Sequence, residues 1–192
     1  MTGSTASTTT GPANNPANND DRARSRIACL YAPALPLQAL LRCDTALRGQ
    51  PLVLLGIDGR VQHRSPEAQR VQPGMTLAQA QASSPGLQVR APSTAIAASA
   101  RAALREVAAQ FSPLVEQHGE LLLLAVGDLR LLYPDEVALA AALAARAAEV
   151  GLTVQVAIAG SVGVARVLAQ ARPGCTIAPP GTDAAALAPL PA

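Results

Sequence analysis

Few side chains in this chain are able to do covalent or metal chemistry, and one turn near its start has none of them. A strand predicted at Ile27–Tyr31 runs into an apolar helix through Ala32, Pro33 and Ala34. Many enzymes place a catalytic or metal-binding acid where a strand ends. Alanine and proline have no side-chain ligand for a metal. This turn therefore lies where an acid is often placed but has no side chain that could bind a metal ion.

The remaining reactive residues do not form a recognisable site. All 15 basic residues are arginine, which excludes a lysine Schiff base and the lysine of a P-loop. The three cysteines, Cys29, Cys43 and Cys175, form no C-x-x-C pair, and His63 and His118 are the only histidines in the sequence. We therefore expect no bound metal and no cofactor, and we expect the thiols to be buried and reduced in a cytoplasmic protein.

Composition limits the classes of partner. The chain has 192 residues, of which 49% are hydrophobic and 2% aromatic, so its core is built from alanine, leucine and valine. A net charge of +2 does not by itself predict nucleic-acid binding, and so few aromatic residues argue against a base-stacking surface. No signal peptide and no membrane span are predicted.

Hydrophobic periodicity and turn residues predict the elements that position these side chains. Residues 1–25 lack a core pattern and are predicted to be disordered, with Arg22, Arg24 and Arg26 either touching phosphates or serving a solubilising tail. Strands are predicted at Ile27–Tyr31, Pro51–Gly56, 87–92, 113–117, Glu120–Val126, Leu152–Ala159 and Cys175–Ala178. Helices are predicted at Pro36–Arg48, Thr76–Ala82, 93–111, 134–151 and Ser161–Ala171, and residues 58–75 are predicted to be polar and turn-rich.

When residues 50–92 are set aside, the order of elements is that of a βαββαβ ferredoxin-like sandwich. The fold class is therefore α+β, with an insert after the first helix. This fold has many functions, so the order of elements does not identify one.

Four collinear strings resemble the palm and fingers of Y-family (UmuC/DinB-like) translesion DNA polymerases. They are ALRGQPLVL, RVQPGMTLAQAQASSPGLQV, GLTVQVAIAGSVGVARVLAQARPG and CTIAPPGTDAAALAPLP. The strings LPLQAL and HGELLLLAVGDLRLLY are most similar to the non-catalytic ImuB branch. The resemblance implies a palm at 26–50 and 93–192 and a small helical fingers insert at 51–92. It also implies that the thumb and little finger are lacking.

The resemblance also implies a degenerate metal site. The family's first pair of acids falls near Tyr31 and Pro33, and its hairpin pair falls near Glu120 and Leu121. Magnesium needs several oxygen ligands, so one surviving carboxylate would not hold a two-metal centre. We expect no catalytic residue here, and Glu120 is either a relic of the site or a polar residue of a hairpin turn.

The residues that hold nucleotide in the family are also changed. The fingers Tyr-x-x-Arg falls near Arg64–Glu67, and the later palm lysine falls near Gln170. Arg64, Arg70 and Arg166 are the candidates for contact with nucleic acid; the alternative is that they form a solvated surface.

By resemblance, the chain is a catalytically inactive polymerase-like protein of DNA repair, SOS mutagenesis and translesion synthesis. It would act as a scaffold or a damaged-DNA-binding component, with weak affinity for DNA. Its implied partners are the sliding clamp, a RecA-like accessory protein and a C-family polymerase. Two alternatives stay open, namely a weakly active translesion polymerase and a ferredoxin-like interaction domain unrelated to DNA.

Overall fold

The computed structural model describes residues 26–188, except for the side chain of Arg130. Its strands in this range are β1 Ile27–Tyr31, β2 Leu52–Leu55, β3 Val61–Arg64, β4 Gln88–Arg90, β5 Val115–His118, β6 Leu121–Ala125, β7 Gln155–Ala159 and β8 Cys175–Ile177. Its helices are α1 Leu35–Cys43, α2 Leu77–Ser83, α3 Thr94–Ala109, α4 Glu136–Glu149, α5 Val162–Ala171 and α6 Asp183–Leu187, with 3₁₀ turns at Thr45–Leu47 and Gly127–Leu131. The tail predicted at 1–25, with Arg22 and Arg24, lies outside the described residues.

Five strands form the main sheet in the order β5-β6-β1-β7-β8. The central strand β1 is antiparallel to both β6 and β7, and β8 joins β7 in parallel at the edge. The first four strands in this order are arranged as in a ferredoxin-like sandwich. The predicted α+β fold is therefore confirmed, and β8 extends it by one edge strand.

Side chains alternate between the two faces of the main sheet, and each face is covered by different helices. On one face, Ala28 and Leu30 of β1 pack in a buried cluster with Leu104 of α3 and Leu143 of α4. On the other face, Cys29 packs with residues of β6 and with Ala165, Leu168 and Ala169 of α5. Alanine at the contacts lets the helices approach the sheet closely, which explains how a core forms with so few aromatic side chains.

The insert between α1 and α3 has a small sheet of its own, in the order β3-β2-β4. Strand β2 is antiparallel to β3 and parallel to β4, and Val53, Val61 and Ala80 belong to its buried cluster. Helix α2 begins with a capping box between Thr76 and Gln79. Strand β3 was not predicted: it lies in the segment expected to be turn-rich, because only Val61 in it is both apolar and buried.

Local signals predicted where most helices begin. The side chains of Ser93, Asp135 and Ser161 accept hydrogen bonds from the backbone at the N-termini of α3, α4 and α5. Gly151 follows α4 with a φ of 75°, a conformation that glycine adopts without steric cost. None of the helices between residues 26 and 188 has the length and apolarity needed to cross a membrane.

The structure corrects both interpretations of Arg26, as a phosphate contact and as part of a solubilising tail. Its side chain is 3% exposed and lies inside the fold. Its Nε and Nη2 donate to the carboxylate of Glu136 at 2.6 and 2.5 Å, and Nη2 also donates to the carbonyl of Ala178 at 2.7 Å. Arg26 thus joins the start of β1 to α4 and to the end of β8.

Candidate functional site

The ends of β1 and β6 bring three of the four predicted metal-site positions together. Tyr31 lies directly opposite Leu121 in the antiparallel ladder. The backbone N–H of Ala32 donates to the carbonyl of Glu120 at 3.1 Å, which holds the turn against the hairpin. Gly119, with a φ of 62°, and Glu120 form the two-residue turn that joins β5 to β6 and sets the register of that hairpin.

The side chains at these positions form an apolar pair beside one carboxylate. Leu121 is 5% exposed and packs in the same buried cluster that Tyr31 adjoins. Burial, and to a lesser extent the negative charge of Glu120, raises the pKa of the Tyr31 hydroxyl, so the phenol stays protonated and neutral. Within residues 26–188, no three His, Cys, Asp or Glu side chains are grouped so that they could hold a metal ion.

Gln38 fixes the turn that follows β1, and sequence analysis missed it. Its amide donates to the carbonyls of Pro33 at 2.8 Å and Thr153 at 2.9 Å, and its Oε1 accepts from the Thr153 N–H at 2.7 Å. Ala34 has a φ of 51°, an unusual conformation for a residue other than glycine. The bond from Gln38 to Pro33 helps to explain how this turn is held. The bonds from Gln38 to Thr153 join residues 115 positions apart, so no local pattern indicates them.

A cleft of about 590 Å³ lies beside this turn, between the insert, α1 and the loop after α4. Arg64 and Glu67 of the insert line it together with Pro33. Arg42 and Arg48 also line it, and the Nε of Arg48 donates to the carbonyl of Leu41 at 3.0 Å. The cleft is therefore rich in guanidinium groups that could hold phosphate oxygens, and sequence analysis did not single out Arg42 and Arg48.

The other two arginine candidates lie elsewhere. Arg70 is exposed on the insert, away from the lining of the cleft. Arg166 is exposed on α5, and its positive charge reaches Cys29 on the sheet face below. Gln170 is exposed one helical turn further along α5. The structure thus places Arg64 at the end of β3, Arg70 in the turn before α2 and Arg166 on α5, and it does not line one cavity with all three.

The cysteines differ from the prediction that all three are buried. Cys29 is buried in the sheet, whereas Cys43 and Cys175 are exposed. Burial raises the pKa of the Cys29 thiol to about 12, and the opposing effect of Arg166 is smaller. Burial also raises the pKa of Cys175.

We expect two of the three thiols to react with a disulfide reagent such as 5,5′-dithiobis(2-nitrobenzoate) in the native protein. Cys43 and Cys175 are accessible, and the raised pKa of Cys175 slows its reaction relative to an ordinary thiol, whereas Cys29 is both inaccessible and protonated. The third equivalent of released thionitrobenzoate should appear only in denaturant. A Cys29→Ala variant should lack that third equivalent and release the other two. Rapid release of all three equivalents from native protein would contradict the burial of Cys29.

The comparisons with known proteins show the family of the chain and its fold. A family model described as the impB/mucB/samB family (IMS) matches residues 30–170. No curated protein matches the chain significantly. Among solved structures, the chain is similar to "Dbh Ternary Complex (substrates partially disordered)", with a TM-score of 0.71 and 18% identity, over 82% of this chain and 48% of that chain.

Two further solved structures are similar to the same extent. "Insertion ternary complex of Dbh DNA polymerase" has a TM-score of 0.70 and 17% identity, over 81% of this chain and 49% of that one. "Crystal Structure of DinB from Sulfolobus solfataricus" has a TM-score of 0.65 and 18% identity, over 82% and 49%. At these identities the likeness establishes a shared fold, and the chain spans about half the length of the structures it matches.

Proposed function

Because the chain belongs to the impB/mucB/samB family and shares the palm fold of Y-family DNA polymerases, we propose that it is a catalytically inactive member. Its role is that of an ImuB-like scaffold or damaged-DNA-binding component in translesion synthesis. Residues 26–50 and 93–192 are assigned to the palm and 51–92 to the fingers. In this proposal the chemistry belongs to a partner polymerase, and the protein acts in the cytoplasm within the SOS response.

One observation carries the proposal, namely the pairing of Tyr31 with Leu121 at the ends of β1 and β6. By family resemblance, this is where carboxylates would hold two magnesium ions. A neutral phenol and a buried leucine supply no anionic oxygen there, and Glu120 alone provides too few ligands for magnesium. The sliding clamp, a RecA-like protein and a C-family polymerase remain the partners proposed from the resemblance.

The arginines support the DNA-binding part of the proposal. Arg64 in the cleft and the exposed Arg70 and Arg166 are not in any salt bridge of the described residues. Free guanidinium groups bind phosphates without sequence preference and release counterions as they do so. With a net charge of only +2, the chain is expected to bind DNA weakly and with a shallow dependence on salt.

We expect the triple variant Arg64→Ala, Arg70→Ala, Arg166→Ala to bind DNA more weakly and to lose most of the salt dependence. Each phosphate contact contributes about 0.9 to the slope of log K against log salt, so loss of three contacts reduces the slope by about 2–3. Fluorescence anisotropy of a labelled primer–template duplex, titrated with the full chain between low and moderate salt, measures both quantities.

A control variant removes the same charge elsewhere. Arg101, Arg105 and Arg146 lie on α3 and α4, which cover the opposite face of the sheet from α5. Their replacement by alanine should leave the slope within about 0.5 of the wild-type value, because they are assigned no phosphate contacts. Equal slopes for both triple variants would remove Arg64, Arg70 and Arg166 from the DNA interface.

Nucleotide incorporation by the wild-type chain with magnesium would overturn catalytic inactivity and favour the weakly active polymerase.

A further inference from the structure

Two adjacent leucines, Leu131 and Leu132, leave their side chains in solvent at the end of the 3₁₀ turn after β6. They are 87% and 75% exposed, and Val137 on the first turn of α4 is 61% exposed. Single exposed apolar residues are ordinary, but Leu131, Leu132 and Val137 fall within one short segment, residues 131–137. Contiguous exposed apolar patches commonly mark a binding surface. We call Leu131, Leu132 and Val137 the leucine surface.

A small cavity adjoins the leucine surface. Its volume is about 230 Å³, and Tyr133 and Glu136, the sequence neighbours of Leu132 and Val137, contribute to its walls. Leu129 and Leu139 make the walls partly apolar. The ring of Tyr133 stacks on Phe111 with centroids 6.2 Å apart, which holds one wall in place. The cavity has room for one leucine-sized side chain.

Arg26 also lines this cavity and has an unused donor. Its Nη1 is buried and has no hydrogen-bond partner in the described part of the chain, although its Nε and Nη2 are paired. Buried donors in native proteins are nearly always satisfied, so this nitrogen indicates a missing acceptor. Because Glu136 already neutralises Arg26, a neutral acceptor such as a peptide carbonyl fits better than a second anion.

We propose that the leucine surface and the adjoining cavity bind a short peptide segment of a protein partner. The segment carries a branched or aromatic apolar residue for the cavity, with a basic residue beside it. The exposed carboxylates of Asp128 and Asp135 flank the surface and favour the basic residue. The chain's own residues 1–25 contain no Leu, Ile, Val or aromatic residue, so they do not supply the apolar anchor.

The test selects peptides from a displayed random dodecapeptide library on the full chain, with subtraction on a Leu131→Asp, Leu132→Asp variant. Both leucines are exposed, so this variant should fold with an unchanged melting temperature. The recovered peptides should share an apolar residue next to Arg or Lys. In calorimetric titrations they should bind the double variant at least about tenfold more weakly than the wild type, as for residues central to an interface.

The matched control is Val167→Asp, which places one acid at a half-exposed apolar position on α5. It should bind the selected peptides within about twofold of the wild type, because Val167 lies outside the proposed interface and binding energy is concentrated in residues at the centre of an interface. Equal binding by the wild type and the double variant, or recovery of acidic peptides, would overturn the proposal. A wild-type dimer in sedimentation that the double variant abolishes would also overturn it, because the occupant would then be a second copy of the chain. Since no DNA is present, failure here leaves the proposed DNA function untouched.

Discussion

Replacing Tyr31 with Asp and Leu121 with Glu is expected to create a divalent-metal site beside Glu120. The wild-type chain should show no change in melting temperature with Mn²⁺, whereas the double variant should be stabilised. At a free metal concentration about 100 times the dissociation constant, the stabilisation is about 2.7 kcal/mol, which corresponds to roughly 5–10 °C for a chain of this size. Thermal unfolding followed by circular dichroism, with and without Mn²⁺, measures this shift.

The physical reason is that the backbone already places the three positions side by side. Tyr31 and Leu121 are cross-strand partners, and Glu120 is bonded through its carbonyl to the turn after β1. Facing residues on antiparallel strands have Cβ atoms about 4.5–5.5 Å apart, within reach of one shared cation. Mn²⁺ prefers the same oxygen ligands as Mg²⁺ and binds more tightly, which makes it the better probe.

Without metal, the double variant should be less stable than the wild type. Leu121 is buried, so a glutamate there brings a charge into an apolar cluster, and three carboxylates in contact repel one another. A third substitution, Glu120→Gln, should remove most of the response to Mn²⁺ and so serves as the control. A folded double variant whose melting temperature does not change with Mn²⁺ would show that the strand ends lack the geometry of a metal site. A Mn²⁺ response in the wild type would contradict the proposed inactivity.

Under the proposed function, the same physics explains why a metal site would be lost once a partner polymerase carries out the synthesis. Clustered carboxylates are held together only by their cations, so an empty metal site is a source of strain. At these positions Tyr31 and Leu121 have no such repulsion, and both adjoin one apolar cluster across β1 and β6. In our proposal, the fold keeps its stability and its surfaces while the chemistry disappears.

Elements with strong local signals were predicted well from the sequence. The strand Ile27–Tyr31 has the predicted bounds, because it is a continuous apolar run that a proline-containing turn ends. The helix starts at Ser93 and Ser161 follow from capping side chains that act within three residues. The hairpin of β5 and β6 follows from two apolar runs around the turn at Gly119.

Features that depend on distant partners were not predicted. Strand β3 has few apolar residues and is stabilised by pairing with β2, whose sequence is unrelated to it. Gln38 has its role only because Thr153 comes to lie beside it. Arg26 stands at the end of a polar tail, and its sequence context gives no sign of a half-buried acid 110 residues away. Tertiary contacts of this kind leave no periodicity, so pattern analysis assigns such residues to the surface.

Replacing Arg26 with Met is expected to lower the free energy of unfolding by about 3–5 kcal/mol, because it leaves Glu136 without its partner and removes a bond to the Ala178 carbonyl. Glu136→Gln should have a cost of the same order, since the buried guanidinium then lacks a counter-charge. The exposed pair Arg146–Glu149 on the same helix is the control, and Glu149→Ala should cost less than about 1 kcal/mol. Urea unfolding of the full chain measures the three changes in unfolding free energy. The variants are compared with the same dependence of that free energy on urea concentration.

The combination of Arg26→Met with Glu136→Leu distinguishes an unpaired charge from lost packing. Removing one partner leaves the other charge unpaired, whereas replacing both by apolar side chains of similar volume is often neutral or stabilising. The double variant should therefore be more stable than either single variant and approach the wild type. If the two costs instead add, the pair is not coupled. The contact of Arg26 with α4 and the end of β8 would then owe its stability to the hydrocarbon stem of the arginine and to the Ala178 carbonyl rather than to charge.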